Sequence, residues 1–268
     1  MLQRFSCILL ATILVTCCLA QKFEANNFKH FTTKDGLTDN NVVGLEQDSA
    51  GYIWIATLHG LNRFDGSIFK QFLKTSRYNP IPDGAIFSMS LVGHELAIAT
   101  DDGGQIISTN TLAQKDLNVP TSDALHYWSN SFRYVNRDKE GNYCVSTKTG
   151  FYIFSSEGVL KKRFDYFSEK DIGHSWMMFG NHIYKLADGN VMQQNSQGLL
   201  VYDRQNNVFA DAATYFPHIK EVNPPLDNQQ LFLFVANYEI LFFNINNNTF
   251  DLIDIRNGNV RSFPACIK

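Results

Sequence analysis

The chain has 268 residues and a formal net charge of −3, and 44% of its residues are hydrophobic and 13% aromatic. This composition is too apolar for a disordered chain and is sufficient for one sizeable folded unit or two small ones. The slight excess of acidic residues gives no basis for nucleic acid as a partner.

Residues 1–20 have the pattern of a cleavable signal peptide. Arg4 supplies the positive charge, Cys7–Leu19 forms a short apolar run, and Ala20 before Gln21 is a small-residue cleavage site. The run is shorter than the ~20 residues that span a bilayer, and no second run of that length follows, so we predict export and no membrane span in this chain. A membrane anchor and a lipoprotein signal ending at Cys17 are the alternatives.

Two cysteines remain after the signal, Cys144 and Cys266. They permit one disulfide bridge but do not imply one.

A repeat of roughly 40 to 48 residues runs along the chain. The stretch 51–66, GYIWIATLHGLNRFDG, aligns with residues 141–158 at a constant offset of 90, which matches Thr57 with Thr147 and Gly60 with Gly150. A third copy is centred on Thr100, a fourth on Gly198 and a looser fifth on residues 237–239. Repeats of this length with four short strands and glycine-rich or asparagine-rich turns are typical of β-propeller blades.

The sequence therefore predicts an all-β fold, a β-propeller of four-stranded antiparallel blades. About five blades are present, at 38–75, 84–120, 130–168, 176–213 and 217–255. We predict that Phe28–Phe31 is an outer strand without a blade of its own and that 256–268 starts a further blade. The partial propeller then occupies 21–268 and is incomplete, which leaves an apolar blade face exposed; the alternative is that five blades close and 256–268 is a tail.

The second strand of a blade is predicted to be buried on both faces. Ile53-Trp54-Ile55 is apolar throughout rather than alternating, as expected where a strand packs between neighbouring blades. Trp54 is accordingly predicted to be a core residue. Cys144 occupies the equivalent position in the third copy and is predicted to be a buried thiol.

Residues 28–72 resemble the opening of two-component regulator propeller sensors. The resemblance rests on Asp35-Gly36-Leu37, Asp48, Ile53-Trp54-Ile55, Gly60-Leu61-Asn62-Arg63-Phe64 and Asp65-Gly66. It implies a periplasmic sensing domain that precedes a membrane helix and a histidine kinase, in hybrid sensors similar to those that detect glycan fragments and control polysaccharide-utilisation genes. None of the later parts is in this sequence, so the resemblance implies no signalling output from the chain itself.

Catalytic and metal-binding patterns are not evident. The seven histidines lack a ligand spacing, and the acids Asp48, Asp65, Asp138 and Asp188 are predicted to cap turns. We predict no catalytic residue, no metal and no cofactor. Ligand-binding residues stay unassigned; weak candidates for sugar stacking or hydrogen bonding in connecting segments are Tyr78, His126, Tyr127, Trp128 and Trp176.

Three functions follow as hypotheses. The first is the N-terminal part of a periplasmic glycan-sensing domain, whose partners are an oligosaccharide and either the rest of the sensor or a second copy that closes the propeller. The second is a free-standing secreted propeller that binds glycan or protein. The third, an exported lyase or glycosidase, would need convergent carboxylates or metal ligands, and the sequence offers no sign of either.

Overall fold

The structure, a computed structural model, describes residues 28–165, 183–186, 188, 190–195, 198–203, 205–218, 232–236, 238–244 and 247–265. The predicted signal at 1–20, Trp176 and Cys266 lie outside these residues.

The described strands form five four-stranded antiparallel sheets, each built from consecutive strands. The first sheet contains β1 (Val42–Gln47), β2 (Ile53–Thr57), β3 (Gly60–Phe64) and β4 (Phe69–Phe72). The second contains β5 (Ile86–Val92), β6 (Glu95–Thr100), β7 (Gly103–Ser108) and β8 (Gln114–Leu117). The third contains β9 (Phe132–Arg137), β10 (Tyr143–Thr147), β11 (Gly150–Phe154) and β12 (Leu160–Asp165).

The fourth sheet contains β13 (Ile183–Lys185), β14 (Val191–Asn195), β15 (Gly198–Asp203) and β16 (Val208–Asp211). The fifth contains β17 (Phe232–Ala236), β18 (Glu239–Asn244), β19 (Thr249–Asp254) and β20 (Val260–Pro264). Helix α1 (Asp123–Asn130) joins the second and third sheets, and the short helix α2 (Ala212–Tyr215) follows the fourth. A 3-10 turn at Thr33–Asp35 precedes β1.

The sheets are the blades of a partial propeller. The first strands lie side by side, with β5 in contact with β1 and β9, and β9 in contact with β13. This arrangement places the first strand of each of these blades toward a common axis.

The assignment of strands to the fifth sheet differs from the sequence prediction. Val260–Pro264 does not open a sixth blade but pairs with Thr249–Asp254 as the fourth strand of the fifth sheet. The hairpin between them is closed by Asp254, whose backbone N–H donates to Asn259 O at 3.0 Å and whose Oδ1 accepts from Arg256 N at 3.0 Å. The sequence prediction took the asparagine-rich turn at 246–248 as the last hairpin of this sheet and did not identify the hairpin at Asp254. It therefore assigned Thr249–Asp254 as the fourth strand, whereas it is the third.

The predicted outer strand at Phe28–Phe31 is also wrong, because this segment is not a strand. It packs through a side chain instead: the ring of Phe31 meets the rings of Phe64 and Phe69 at centroid distances of 5.0 and 5.5 Å. The segment therefore contacts the first sheet without extending a ladder of hydrogen bonds.

The core lies between the sheets. Trp54, Leu61 and Phe72 of the first sheet form one buried cluster with residues of the second, including Leu96 and Ile98. The alternate residues of β6, Ala97 and Ala99, join the cluster between the second and third sheets. The second strand is thus apolar on both faces, as predicted, and the core position of Trp54 is confirmed.

Cys144 lies in the cluster between the third and fourth sheets, where it is a buried thiol. Its Sγ is 4.0 Å from Asp138 Oδ2.

The repeated Thr-x-x-Gly pattern forms one hairpin in three sheets. In the second sheet, Thr100 Oγ1 donates to Gly103 O at 2.8 Å and accepts from Asp102 N at 3.2 Å. The same hydroxyl-to-carbonyl bond joins Thr57 to Gly60 and Thr147 to Gly150. An added Cβ would press on the carbonyl oxygen of the outer strand, which is that of Phe72 at Gly60, of Leu117 at Gly103 and of Phe164 at Gly150. The threonine is therefore required for a buried hydrogen bond, and the glycine for a close approach of two backbones, in each of the three repeats.

Each of the four acids predicted to cap a turn does so. Oδ1 of Asp48, Asp65, Asp138 and Asp188 accepts from the backbone N–H two residues later, at 2.8–3.0 Å. This is the Asx turn that an aspartate at a hairpin is expected to make.

Candidate ligand-binding site

At the first three sheets, the longer connections that the structure describes, 73–85 and 118–131, lie at one end. Because neighbouring strands are antiparallel, the turn between the second and third strands and the connection to the next sheet lie at the same end. We call this end the connection face. At the second sheet it comprises the loop 73–85, the turn at Asp101–Asp102 and the segment 118–131, which contains α1. Loops held by a rigid sheet are common positions for binding residues.

A cavity of about 740 Å³ opens beside the outer half of the second sheet at the connection face. Its walls combine apolar residues with amides and carboxylates. They are Pro80, Ile81, Pro82, Asp102, Gln105, Gln114, Asp116, Asn118, Val119, Pro120, Thr121 and His126. The volume falls within the range of small-molecule sites, while the lining is more polar than usual for them.

Gln105 is the buried polar residue of this cavity wall, with only 4% of its surface exposed. Its Nε2 donates to Asp116 Oδ1 at 2.9 Å and to Pro80 O at 3.3 Å. Its Oε1 has no hydrogen-bond partner among the described residues, and Gln114 Nε2 likewise has none there. Buried polar atoms usually have a hydrogen-bond partner, so the two unpaired amide atoms in this wall are unusual.

The equivalent position in the neighbouring sheets is polar but fully paired. Asn62 is the third residue of β3, as Gln105 is of β7, and it accepts from Thr38 N at 3.0 Å while donating to Thr38 Oγ1 at 2.7 Å and to Ile55 O at 3.3 Å. Tyr152 is the third residue of β11, and its hydroxyl lies 3.1 Å from Thr149 Oγ1. The second sheet therefore differs from both neighbours in leaving amide atoms unpaired.

The charges at the cavity are predominantly negative. Asp102 and Asp116 contribute carboxylates, and no Lys or Arg is among the described residues that line the cavity. Lys74 stands at its edge, where Nζ is 3.1 Å from Asp83 Oδ2 and 3.7 Å from Asp102 Oδ2. The hydrogen bond with Asp83 raises the pKa of the Lys74 ammonium.

His126 is the predicted candidate that the structure brings into the cavity. Its Nε2 is 3.6 Å from Asp102 Oδ1, and its Nδ1 is 3.3 Å from the amide Nδ2 of Asn130. The side-chain amide of Asn130 also accepts a hydrogen bond from Val119 N and donates one to Val119 O, and this pair holds α1 against the cavity wall.

Tyr78 and Tyr127 do not line the cavity. Tyr78 is 76% exposed in the loop 73–85, two residues before Pro80. Tyr127 is 51% exposed on α1, and its hydroxyl accepts from Lys148 Nζ at 2.8 Å. Trp128 belongs to α1, but its side chain lies outside the described part of the structure, as does Trp176.

A second polar cluster lies deeper on the connection face. Asp101 accepts hydrogen bonds from Ser131 Oγ and from Arg133 Nη2, the latter at 3.1 Å, and its Oδ1 is 3.8 Å from Lys148 Nζ. The Arg133 guanidinium also lies over the ring of Phe87, 4.0 Å from its centroid. Burial lowers the pKa of Arg133. Because these charges compensate one another, we interpret the cluster as a brace between β9 and the turn after β6.

The described residues contain no group of three or more His, Cys, Asp or Glu side chains that could hold a metal ion. In the same residues, no helix has the length and apolar character needed to cross a membrane.

Sequence reasoning missed most of this cavity. It considered aromatic residues in connections, whereas the amides and carboxylates come from β7, β8 and the segment after them, and α1 was not predicted. A signal was nonetheless present: the third residue of the third strand is Asn62, Gln105 or Tyr152, a polar side chain inside an otherwise apolar strand.

Comparison with known proteins places the recognisable repeat at the first sheet. Residues 36–59 match the two component regulator propeller family. The chain is 44% identical over 66 residues to the histidine kinase P4 of Formosa agariphila, a match that covers 23% of this chain and 4% of that protein. The resemblance to this family is thereby confirmed, and the family match lies within the residues 28–72 on which it was based.

Solved structures share the fold. The extracellular domain of the hybrid two component system BT4673 from B. thetaiotaomicron matches with a TM-score of 0.61 and 17% identity, over 87% of this chain and 32% of that one. PorZ of Porphyromonas gingivalis, a surface component of the type-IX secretion system, matches with a TM-score of 0.55 and 9% identity, over 87% and 28% of the two chains. The chain therefore spans about a third or less of these relatives, and it has the fold of a partial propeller like those of extracellular sensor domains.

Proposed function

We propose that this chain is the N-terminal part of the periplasmic ligand-sensing propeller of a hybrid two-component sensor kinase. The ligand is a glycan fragment, and the full sensor controls polysaccharide-utilisation genes. The observation that carries the proposal is the combination of the family match at residues 36–59 with a propeller fold like that of extracellular sensor domains. The chain contributes ligand recognition and no catalytic step.

Export through a signal at residues 1–20 is part of this proposal. Mass spectrometry of the protein recovered from the periplasm should give an N-terminus at Gln21. A protein that retains residues 1–20 in the membrane fraction would support an anchor instead.

The first sheet has apolar surface that further blades or a second copy would cover. Val42, Val43 and Leu45 of β1 are all exposed, although equivalent strands of a closed propeller pack against neighbours on both sides. We propose that the rest of the sensor completes the propeller here, with a second copy as the substitute when the chain is isolated.

A free-standing secreted propeller that binds glycan or protein is the second candidate. The observation that favours it is the likeness in fold to PorZ, a surface component of a secretion system. The likeness at 9% identity concerns the fold alone.

Two measurements test the sensor proposal. The first is the reading frame downstream of the Lys268 codon, which we expect to continue into further blades, a membrane helix and a histidine kinase; a stop codon there would favour the free-standing protein. The second is a thermal-shift screen of the full chain with neutral and acidic oligosaccharides. A ligand at a hundred times its Kd stabilises by about 2.7 kcal/mol, which raises the Tm by several degrees. Absence of a shift with any saccharide would contradict glycan sensing.

A further inference from the structure

We propose that the cavity on the second sheet binds an uncharged, hydroxyl-rich saccharide unit and rejects anionic ones. The inference rests on the proposed function, and it specifies where on the chain the saccharide binds and which charge on the saccharide is preferred. The cavity is the one bounded by the loop 73–85, β7, β8 and the segment 118–126.

The walls of the cavity are held in place by bonds outside it. Asn79 Nδ2 donates to Leu112 O at 2.6 Å, which ties the loop 73–85 to the hairpin between β7 and β8. On the opposite side, Arg163 Nη1 donates to Pro120 O at 2.9 Å. Three prolines, Pro80, Pro82 and Pro120, further restrict the backbone of both walls. A cavity fixed in this way loses little conformational freedom when a ligand binds.

The neighbouring sheets indicate which chemical group fits the wall at Gln105. In the first sheet the equivalent amide of Asn62 meets the hydroxyl of Thr38, and in the third sheet the hydroxyl of Tyr152 meets that of Thr149. In the second sheet the amide faces Pro80 and Asp116, and Gln105 Oε1 and Gln114 Nε2 have no partner in the described structure. One atom is an acceptor and the other a donor. Hydroxyl groups both donate and accept, so a saccharide carries groups that complement each of these two atoms.

The other cavity residues suit the rest of a sugar. Asp116 and Asn118 are exposed and offer acceptors and donors to further hydroxyls. Ile81 and Val119, with the prolines, provide apolar surface for the C–H groups of the ring.

The charges set the preference against anions. Asp102 and Asp116 line the cavity, and the nearby cations are already engaged: Lys74 with Asp83 and Asp102, and Arg163 with Asp165 and Pro120 O. A carboxylated or sulfated saccharide would meet these two carboxylates, and the described residues that line the cavity include no Lys or Arg to offset them. Like charges brought together in this way are an effective means of rejecting a competing ligand.

The test measures binding by isothermal titration calorimetry on the full chain and two matched variants. The probes are neutral tetrasaccharides (cello-, xylo-, manno- and maltotetraose) and an anionic one, tetragalacturonate. Thr121→Trp puts a large side chain at the cavity wall. Thr111→Trp places the same side chain on the exposed hairpin between β7 and β8, outside the cavity. We expect at least one neutral probe to bind, a tenfold or greater loss in Thr121→Trp, and less than a twofold change in Thr111→Trp.

A third variant, Asp102→Asn combined with Asp116→Asn, tests the charge preference without changing side-chain size. We expect the ratio of neutral to anionic affinity to fall at least fivefold. Circular dichroism and the unfolding midpoint establish that each variant is folded, and only folded variants are compared.

The outcomes separate this inference from the proposed function. Neutral binding that is unchanged in folded Thr121→Trp would overturn the assignment of the cavity while leaving glycan sensing in place. Tighter binding of tetragalacturonate than of every neutral probe would overturn the charge preference. If neither these probes nor any saccharide of the wider screen binds to the wild-type chain, both the proposed function and this inference are wrong.

Discussion

The indole Nε1 of Trp54 donates a hydrogen bond of 2.8 Å to Oδ2 of Asp48. Both side chains are buried. Oδ1 of the same carboxylate accepts from the backbone N–H groups of Ala50 and Tyr52, each at 3.0 Å. One aspartate therefore closes the hairpin between β1 and β2 and pairs with the indole N–H of Trp54, the largest fully buried side chain among the described residues.

Replacing Asp48 by Asn should destabilise the fold by about 2–3 kcal/mol, because the variant loses charge-assisted bonds and turns an amide donor toward another donor. Urea unfolding followed by tryptophan fluorescence and circular dichroism measures the change. A double-mutant cycle with Trp54→Phe should give a coupling energy of about 1–2 kcal/mol. A coupling near zero would mean that the indole bond does not contribute.

Replacing Gly150 by Ala should destabilise the fold by about 1–3 kcal/mol, the usual cost of overpacking. An added Cβ would overlap the carbonyl oxygen of Phe164 and lie 2.9 Å from the hydroxyl of Tyr152. Gly84→Ala is the matched control, because its Cβ would stay 3.8 Å or more from the neighbouring backbone of His59. The control should change the unfolding free energy by less than about 0.5 kcal/mol; equal effects at both positions would contradict the steric explanation.

The stability of the fold should decline at alkaline pH because of Tyr152. Burial, with the hydrogen bond to Asp165, raises the pKa of this phenol to about 12, against about 10 in an unfolded chain. A group whose folded pKa is raised contributes fully below its unfolded pKa, so stability is intact below pH ~10 and falls as the pH rises toward 12. The loss attributable to Tyr152 is about 2–3 kcal/mol.

Unfolding free energies measured between neutral and alkaline pH test this, with Tyr152→Phe and the exposed control Tyr78→Phe. The first variant should have a shallower alkaline decline than the wild type, and the second should follow the wild type. If Tyr152→Phe keeps the full slope, the decline comes from another group, such as Tyr143, whose pKa burial also raises.

The exposed surface of β1 should cause the isolated chain to associate. Leu45 is 63% exposed on this strand beside exposed Val42 and Val43. We expect light scattering coupled to size exclusion to detect concentration-dependent dimers or larger species, and Leu45→Lys to reduce them. Ile68→Lys is the control, because Ile68 is equally exposed, at 67%, but lies in the turn before β4. A cooperatively unfolding monomer at every concentration would mean that the sheets close without help.

The amino-acid sequence by itself determined the local units of this fold. A hairpin depends on interactions a few residues apart, so Asp48, Asp138 and the Thr-x-x-Gly pattern could be recognised from spacing alone, and repetition then predicted the blades and the burial of Trp54. Where the spacing was irregular, as between Asp254 and Asn259, the sequence prediction assigned the strands of the fifth sheet incorrectly. Asparagine-rich turns and turns that begin with aspartate are equally compatible with a hairpin, so the sequence did not distinguish them. The cavity depends on residues from Pro80 to His126, which come together only because the loop 73–85 and the segment 118–126 fold against β7 and β8. Whether Gln105 is paired is decided by which residue of another segment faces it, and that is a property of the tertiary structure rather than of the repeat.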